Sequence, residues 1–320
     1  MRPNSRYRQR VNAINVNQTT PESFMLLPLT EVPTLQAIYF FVFLLMYILT
    51  LSGNILLISV VGINSSLQTP MYFFLSNLSV IDICMTCAIV PKLLINILMK
   101  DRIISFLGCA MQMFFHLALG AAECFILAIM AYDRFAAICR PLHYNNIMNK
   151  LLCVSLIGGA WCMSFMNSTV HTVITFQLPY CKSLVINHFF CEIPAFFQLS
   201  CQDTFFNEIA MYISGGIIGV SSFCLTLISY VHIIIAVLKV HSSQGRRKVF
   251  STCGSHLTVV CLYYGTLMVV YLRPHSIPSA EINKTMSIFY TTVSPMLNPI
   301  IYSMRNKEVK STFIKKKTRF

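Results

Sequence analysis

AIYFFVFLLMYILTLSGNILLISVV, residues 37–61, runs without a single charged side chain. The hydrocarbon core of a bilayer is about 30 Å thick and a helix rises about 1.5 Å per residue, so about 20 apolar residues suffice to cross it. Six further stretches pass the same test. They run from about Met71 to Val90, Phe106 to Tyr132, Leu151 to Phe176, Ile209 to Leu238, Val249 to Leu272 and Thr285 to Met304. The second carries one acid, Asp82, and the third only His116 and Glu123; the last four hold no Asp, Glu, Lys or Arg. Backbone groups in lipid find no water, so each run must satisfy its own hydrogen bonds as a helix. The expected fold is an all-α membrane protein. A seven-transmembrane helix bundle covers residues 37–304, after an N-terminal segment 1–36 and before a tail 305–320 with a short amphipathic helix.

Composition agrees. Of 320 residues, 56% are hydrophobic and 11% charged, and the mean hydropathy is +0.66, yet the formal net charge is +13. Soluble domains average about 25% charged residues, so an ordinary soluble enzyme is excluded. The excess of 24 Lys and Arg over 11 Asp and Glu would suit a nucleic-acid binder only if the basic residues shared one wet face. In a membrane bundle they report orientation instead, and no nucleic-acid partner is expected.

Seven spans put the two ends on opposite sides. With the C-terminus inside, the inner segments hold fourteen basic residues: Arg134, Arg140, Lys150, Lys239, Arg246, Arg247, Lys248, Arg305, Lys307, Lys310, Lys315, Lys316, Lys317 and Arg319. The outer loops hold six: Lys92, Lys100, Arg102, Lys182, Arg273 and Lys284. Arg2, Arg6, Arg8 and Arg10 argue the other way, but they lie too far from the first span to count strongly. An extracellular N-terminus also suits Asn17-Gln18-Thr19, an N-glycosylation acceptor in a polar stretch. The same motif recurs at Asn64, Asn77, Asn167 and Asn283, where it falls on the inner side, in or beside spans, or matches by chance. The opening MRPNSRYRQR has no apolar core, so the first span is expected to direct insertion into the plasma membrane.

Location sorts the thirteen cysteines. Cys109, Cys181, Cys191 and Cys201 fall on the outer side, where disulfides persist. Four cysteines allow three pairings, and spacing does not choose among them. The other nine read as small buried apolar residues, including Cys84 and Cys87, whose CxxC lies inside the second span.

Four segments carry a resemblance: PMYFFLSNLSVID at 70–82, MAYDRFAAICRPLHY at 130–144, KVFSTCGSHLTVV at 248–260 and PMLNPIIYSMRNKEV at 295–309. In this order and at these places relative to the spans, they resemble an olfactory receptor of the terrestrial-type class, within the rhodopsin-like G-protein-coupled receptors. The resemblance covers about Asn17 to Lys310. The chain departs from it at Gln68, where the family usually has His, at Phe135, usually Tyr, and at Tyr263, commonly Phe. Its N-terminal segment is also about ten residues longer than usual.

The resemblance implies a receptor that binds small, mostly neutral odorants in the bundle and activates a stimulatory, olfactory-type heterotrimeric G protein, raising cAMP. It implies no enzyme activity. It pairs Cys109 with Cys191 and Cys181 with Cys201. Carrying over the family's cavity gives a lining of His116, Leu117, Gly120 and Ala121 on the third helix, Ile218 on the fifth, Tyr264, Leu267 and Tyr271 on the sixth, and Ile288 and Thr291 on the seventh. The four third-helix positions share one face by helical spacing. Ordinary close packing of small residues is the alternative reading. No acid stands at the family's amine-binding level of the third helix, which favours a neutral volatile over an amine.

Within MAYDRF, the resemblance has Asp133 hold Arg134 at rest and release it to meet the G protein. Tyr230, Asn298, Pro299 and Tyr302 belong to the same implied switch. Asp82 and Glu123 are the two acids deep in the spans, and a buried membrane acid is a functional signal by default. Asn54, Ser294 and Asn298 are expected around them. Two neighbouring carboxylates need a cation or a shared proton. The resemblance suggests sodium, acting as a negative allosteric ion, while a protonated, hydrogen-bonded cluster is the alternative; no other cofactor is expected. His188-Phe189-Phe190-Cys191-Glu192 has copper or zinc ligand types, but a disulfide at Cys191 leaves too few. His171, His232 and His256 read as satisfied polar groups in helix contacts. A transporter is the rival class, but seven spans do not halve and no internal repeat is visible. The basic tail would face anionic membrane lipid.

Overall fold

Pro33 and Pro70 each open a long helix in its first turn, where the missing N–H would have found no partner anyway. The structure, a computed structural model, describes residues 22–99, 102–181, 183–239, 242–271 and 280–305, with backbone alone at 243, 245–252, 270–271, 280–281 and 303–305. Helix α1 spans Pro33–Ile63, α2 Pro70–Leu98 and α3 Phe106–Cys139. Next come α4 over Lys150–Phe176, α5 over Phe205–Leu238 and α6 over Ser243–Tyr271. The seventh, α7, runs through Ala280–Ile288, a π-helical turn Phe289–Val293 and Ser294–Arg305. Ser105 caps α3 by accepting the Gly108 N–H at 3.1 Å, and Asn149 caps α4 by accepting that of Leu152 at 2.9 Å.

Among the described residues, five helices, α1 to α5, are long and apolar enough to cross a bilayer, and α6 contributes a shorter apolar stretch, Cys253–Val269. The observed helices overrun the expected spans. Helix α2 continues through Pro91 to Leu98, and α3 through Arg134 to Cys139. A helix does not stop where lipid stops, because its hydrogen bonds are internal; apolarity reports only the part inside the hydrocarbon.

Helix α3 is the hub, packing on α2, α4, α5 and α6. Helix α1 lies at the periphery, where Phe41 is 68% exposed and Leu45, Ile48 and Ile55 face outward with it. Apolar faces this large mark contact with lipid rather than water. Helix contacts are stitched by side chains bonding to backbone carbonyls: Gln112 Nε2 to Ala88 O at 2.8 Å, Ser168 Oγ to Phe114 O at 2.5 Å, Ser255 Oγ to Ile301 O at 3.0 Å. Asn77 accepts from Trp161 Nε1 at 3.4 Å inside the bundle, so its glycosylation motif is structural.

Gly53 permits a close approach of α1 to α7. A Cβ there would sit 2.9 Å from Pro299 Cγ and 3.3 Å from its Cβ, and a proline ring has no free end to swing away. Around Gly62, by contrast, nothing lies within 4 Å. Gly53→Ala is therefore expected to lower the thermal midpoint of detergent-purified protein, with overpacking costing about 1–3 kcal/mol. Gly62→Ala should leave it unchanged or raise it slightly. Equal midpoints for the two variants would refute this packing.

At one end of the bundle a small sheet covers the helices. Strand β1 is Ser23–Leu26, β2 Ile103–Ser105 and β3 Val185–Ile186, in the order β2-β1-β3. β1 runs antiparallel to β2 and parallel to β3. Beneath it Phe24 is fully buried.

Candidate functional site

The covered end is closed by the segment between α4 and α5. Cys191 is bonded to Cys109 near the start of α3, with their Cα atoms 5.6 Å apart, and Cys181 to Cys201, with 5.8 Å between Cα atoms. Of the three possible pairings, these are the two bonds that the family resemblance implies. Both halves of the first bond are fully buried. Gln112 adds a second anchor: its Oε1 accepts the Cys191 N–H at 2.9 Å while its Nε2 holds α2. Nothing in the sequence singled out Gln112, because only the disulfide brings the loop backbone to it.

His188 and Glu192 flank that bond and are themselves buried, with His188 Nε2 3.1 Å from Glu192 Oε2. The ring nitrogen is not aligned for a hydrogen bond. Burial, with the charges of Lys284 and His116, lowers the His188 pKa to about 3, and burial raises that of Glu192 to about 7. At neutral pH this is a contact of an uncharged imidazole with a carboxyl near its midpoint. The pH consequences oppose each other. Between His188's folded value and its ordinary 6.5 the unfolded chain binds the extra proton, so this group weakens the fold as pH falls below 6.5. Between 4.5 and about 7 the folded Glu192 holds a proton that the unfolded chain has lost, so this group weakens the fold as pH rises. The single variants should therefore show opposite slopes of thermal midpoint against pH between 4.5 and 6.5. Glu192→Gln should be less stable at the acid end and His188→Gln less stable at the alkaline end; parallel slopes would refute the assignment.

Below this lid lie most of the expected cavity residues. His116 packs between Phe190 of the lid, at 4.9 Å between ring centroids, and Tyr290 of α7, at 5.8 Å. Its Nδ1 is sealed from solvent and has no hydrogen-bond partner among the described residues. Gly120 offers its carbonyl to Tyr263 Oη at 2.8 Å, and Cys124 offers its own to Tyr264 Oη at 3.2 Å. Tyr263, where the family commonly has Phe, thus adds a polar tie between α6 and α3. Ala121 and Thr291 are buried, and Thr291 bonds back to Ser287 O at 2.5 Å. Leu267, Ile288 and Ile218 are half-buried against the main core, while Leu117 belongs to a second apolar cluster around Phe24. The side chain of Tyr271 lies outside the described residues.

Deeper, Asp82 of α2, Glu123 of α3, Asn54 of α1 and Ser294 and Asn298 of α7 are all buried. Asn298 Nδ2 donates to both Asp82 oxygens, at 3.1 and 3.0 Å. Asn54 Nδ2 donates to Thr50 O at 3.0 Å and to Pro295 O at 3.1 Å, where Pro299 has removed a backbone donor from the helix. Four buried oxygens here, Asn54 Oδ1, Glu123 Oε1, Ser294 Oγ and Asn298 Oδ1, have no partner among the described residues. Unsatisfied carboxylate, amide and hydroxyl oxygens are the donor set of a hard cation, so these residues fit a sodium ion.

At the opposite end of α3, Asp133 is buried and its Oδ1 accepts from Tyr144 Oη at 2.8 Å. No ion pair joins Asp133 to Arg134 among the described residues, and Arg134 Nε is buried without a partner. The hydrogen bond of Asp133 goes to the segment after α3, which no spacing pattern reveals. Tyr230 is committed to His256 Nδ1 at 2.7 Å, and His256 Nε2 reaches Leu127 O at 3.1 Å, tying α5 and α6 to α3. His171 likewise meets Ser214 Oγ at 2.6 Å. Tyr302 is buried, and its hydroxyl has no hydrogen-bond partner among the described residues. Asn17 and the tail after Arg305 lie outside the described residues.

A helical membrane bundle with a disulfide-tethered lid, a largely apolar interior beneath it and buried polar ties at its other end defines a membrane receptor of the seven-helix class. The family model described as olfactory receptor matches residues 43–318. Similar proteins include Olfactory receptor 5G3 of Homo sapiens, 47% identical over 300 residues, covering 94% of this chain and 96% of that protein. Olfactory receptor 5AR1 of Mus musculus is 48% identical over 299 residues, covering 93% and 96%. The chain belongs to the olfactory receptor family. It is an odorant receptor and a multi-pass plasma-membrane protein, and its relatives are receptors, not enzymes.

Proposed function

We propose that this receptor binds small, mostly neutral volatile ligands between α3, α5, α6 and α7, and that binding engages a stimulatory, olfactory-type G protein that raises cAMP. The observation that carries the ligand class is His116: a half-buried imidazole whose sealed Nδ1 has no hydrogen-bond partner among the described residues, set between two aromatic rings. A mostly apolar ligand with one polar handle complements that surface. A charged ligand would have to be desolvated against it. In this reading the lid faces outward and the C-terminus inward, in line with the basic residues. Leu142, 94% exposed beside Arg140 in the segment after α3, then presents an apolar knob to the G protein. The ligand acts by preferring the coupled packing over the resting one.

The same reading has Asp82, Glu123, Asn54, Ser294 and Asn298 hold a sodium ion, which would supply the missing counter-charge and favour the resting packing. Cells carrying the full chain, the olfactory G protein and a cAMP reporter, screened against odorants, test the first part. Flux of ions or solutes without G-protein dependence would favour a transporter instead. Replacing sodium with N-methyl-D-glucamine should lower the thermal midpoint and raise basal cAMP; no change in either would end the sodium reading.

A further inference from the structure

The N-terminal strand is the central strand of the sheet over the lid. Met25 N donates to Leu184 O at 2.9 Å and Leu27 N to Ile186 O at 3.0 Å, on the side of the segment between α4 and α5. Leu26 N donates to Arg102 O and Phe106 N to Glu22 O, both at 2.9 Å, on the side leading into α3. Two-residue β3 pairs with β1 alone among the described strands. Strands this short do not persist by themselves, so the sheet depends on what lies under it.

What lies under it is Phe24. Its ring centroid is 5.1 Å from Phe196, 5.5 Å from Tyr180, 6.1 Å from Phe106 and 6.3 Å from Phe176. These rings come from the start of α3, the end of α4 and the lid itself. The same apolar cluster holds the Cys109–Cys191 bond and borders Leu117, one of the expected lining residues. Outside it, Arg102 Nη1 and Glu31 Oε1 pair at 3.0 Å across the same two segments. The lid is therefore pinned from below by its disulfide and from above by the N-terminal segment.

We propose that the strand Ser23–Leu26 is a strap that sets the closed position of the lid, and that Phe24 is a positioning residue for ligand binding. The inference rests on the reading of a ligand held beneath the lid. With Phe24 removed, the disulfide still tethers the lid at Cys191, but β3 loses the buried ring that seats its partner strand. The cavity then exchanges with the outside more freely.

The test uses the full chain at the cell surface, with a membrane-impermeant maleimide as probe and Leu117→Cys as its target. Phe24→Ala should raise the labelling rate tenfold or more at equal surface amount, with Phe24→Leu between the two. Where the Ala variant does not reach the surface, Met25→Cys with Ile103→Cys serves, since these residues face each other at a non-hydrogen-bonded position that a disulfide can span. That cross-link should form and slow labelling below the rate of the parent chain. For an agonist from the cAMP screen, Phe24→Ala should shorten the response after wash-out and raise EC50 at unchanged maximal response. An unchanged labelling rate in surface-borne Phe24→Ala, or no effect of the cross-link, overturns the strap. A strap that holds while no odorant evokes cAMP would instead sink the ligand reading.

Discussion

Cys109→Ser and Cys191→Ser receptors are expected to be retained inside the cell, with surface amount and odorant response reduced at least tenfold. The bond joins residues 82 apart in sequence, so its loss returns a long loop's freedom to the unfolded chain. Losing a native disulfide typically costs about 2–5 kcal/mol, a large part of the roughly 5–15 kcal/mol that separates most folds from unfolding. The structure adds a local reason. Both sulfurs are fully buried in the cluster that contains Phe24, Ile186 and Phe196, and the bonded geometry presents the Cys191 N–H to Gln112. Without it the lid loses its pin and a polar backbone group loses its partner together. Cys181→Ser and Cys201→Ser should do less. Their bond joins residues only 20 apart and lies at an exposed edge, so chain entropy alone makes it worth about 1 kcal/mol less. Quantitative flow cytometry of an epitope-tagged chain measures this order. Surface delivery and signalling of Cys109→Ser equal to the parent would show that the lid is seated by packing alone.

The contrast between the two bonds mirrors what is legible in the chain. Helix positions are legible because lipid imposes one rule over whole stretches, and residues 37–61 obey it without exception. The sheet is not. SFML, IIS and VI are too short to show a period of two, and β1 lies in the N-terminal segment before the first span, where no element is expected. The π-helical turn at Phe289–Val293 is equally silent, since one extra residue per turn leaves an apolar run apolar.

In the site, residue types announced Asp82 and Glu123, because charge is rare in the spans, while His116 came with the cavity that the resemblance implies. Asn298 is expected beside Asp82, whereas the cover of His116 follows only from folding. Asn298 faces Asp82 from 216 positions away, and Phe190 covers His116 only because a disulfide holds it there. Asp133 shows the limit most clearly. Its neighbour in sequence is Arg134, yet its hydrogen bond goes to Tyr144, since successive helical residues point in different directions while the following turn folds back.

Asn298→Leu should be among the most destabilising single changes in the bundle interior, and adding Asp82→Leu should restore much of the loss. Asn298 Nδ2 gives Asp82 both of its side-chain hydrogen bonds among the described residues. Leucine at 298 leaves a buried carboxyl with none. The expected cost is about 1–3 kcal/mol if the acid is protonated and about 3–5 kcal/mol if it is charged. Asp82→Leu alone orphans the amide of Asn298, at about 1–3 kcal/mol, but relieves Glu123 of a neighbouring negative charge. It should be the milder change. In the double variant neither polar group remains, and apolar side chains of similar volume meet instead, which is nearly neutral. Thermal midpoints of detergent-purified receptor should fall in the order parent, double variant, Asp82→Leu, Asn298→Leu. The coupling between the two sites should reach at least about 1 kcal/mol, well beyond the few tenths seen for independent positions. Repeating the series in N-methyl-D-glucamine separates the two readings of the cluster. If sodium is the counter-charge, the parent loses stability on exchange, whereas any chain carrying Asp82→Leu is indifferent to it. If a shared proton serves instead, the order of midpoints is the same in both salts. Additive losses in the double variant would show that Asp82 and Asn298 do not depend on each other, and the buried cluster would then be four helices' worth of independent polar groups.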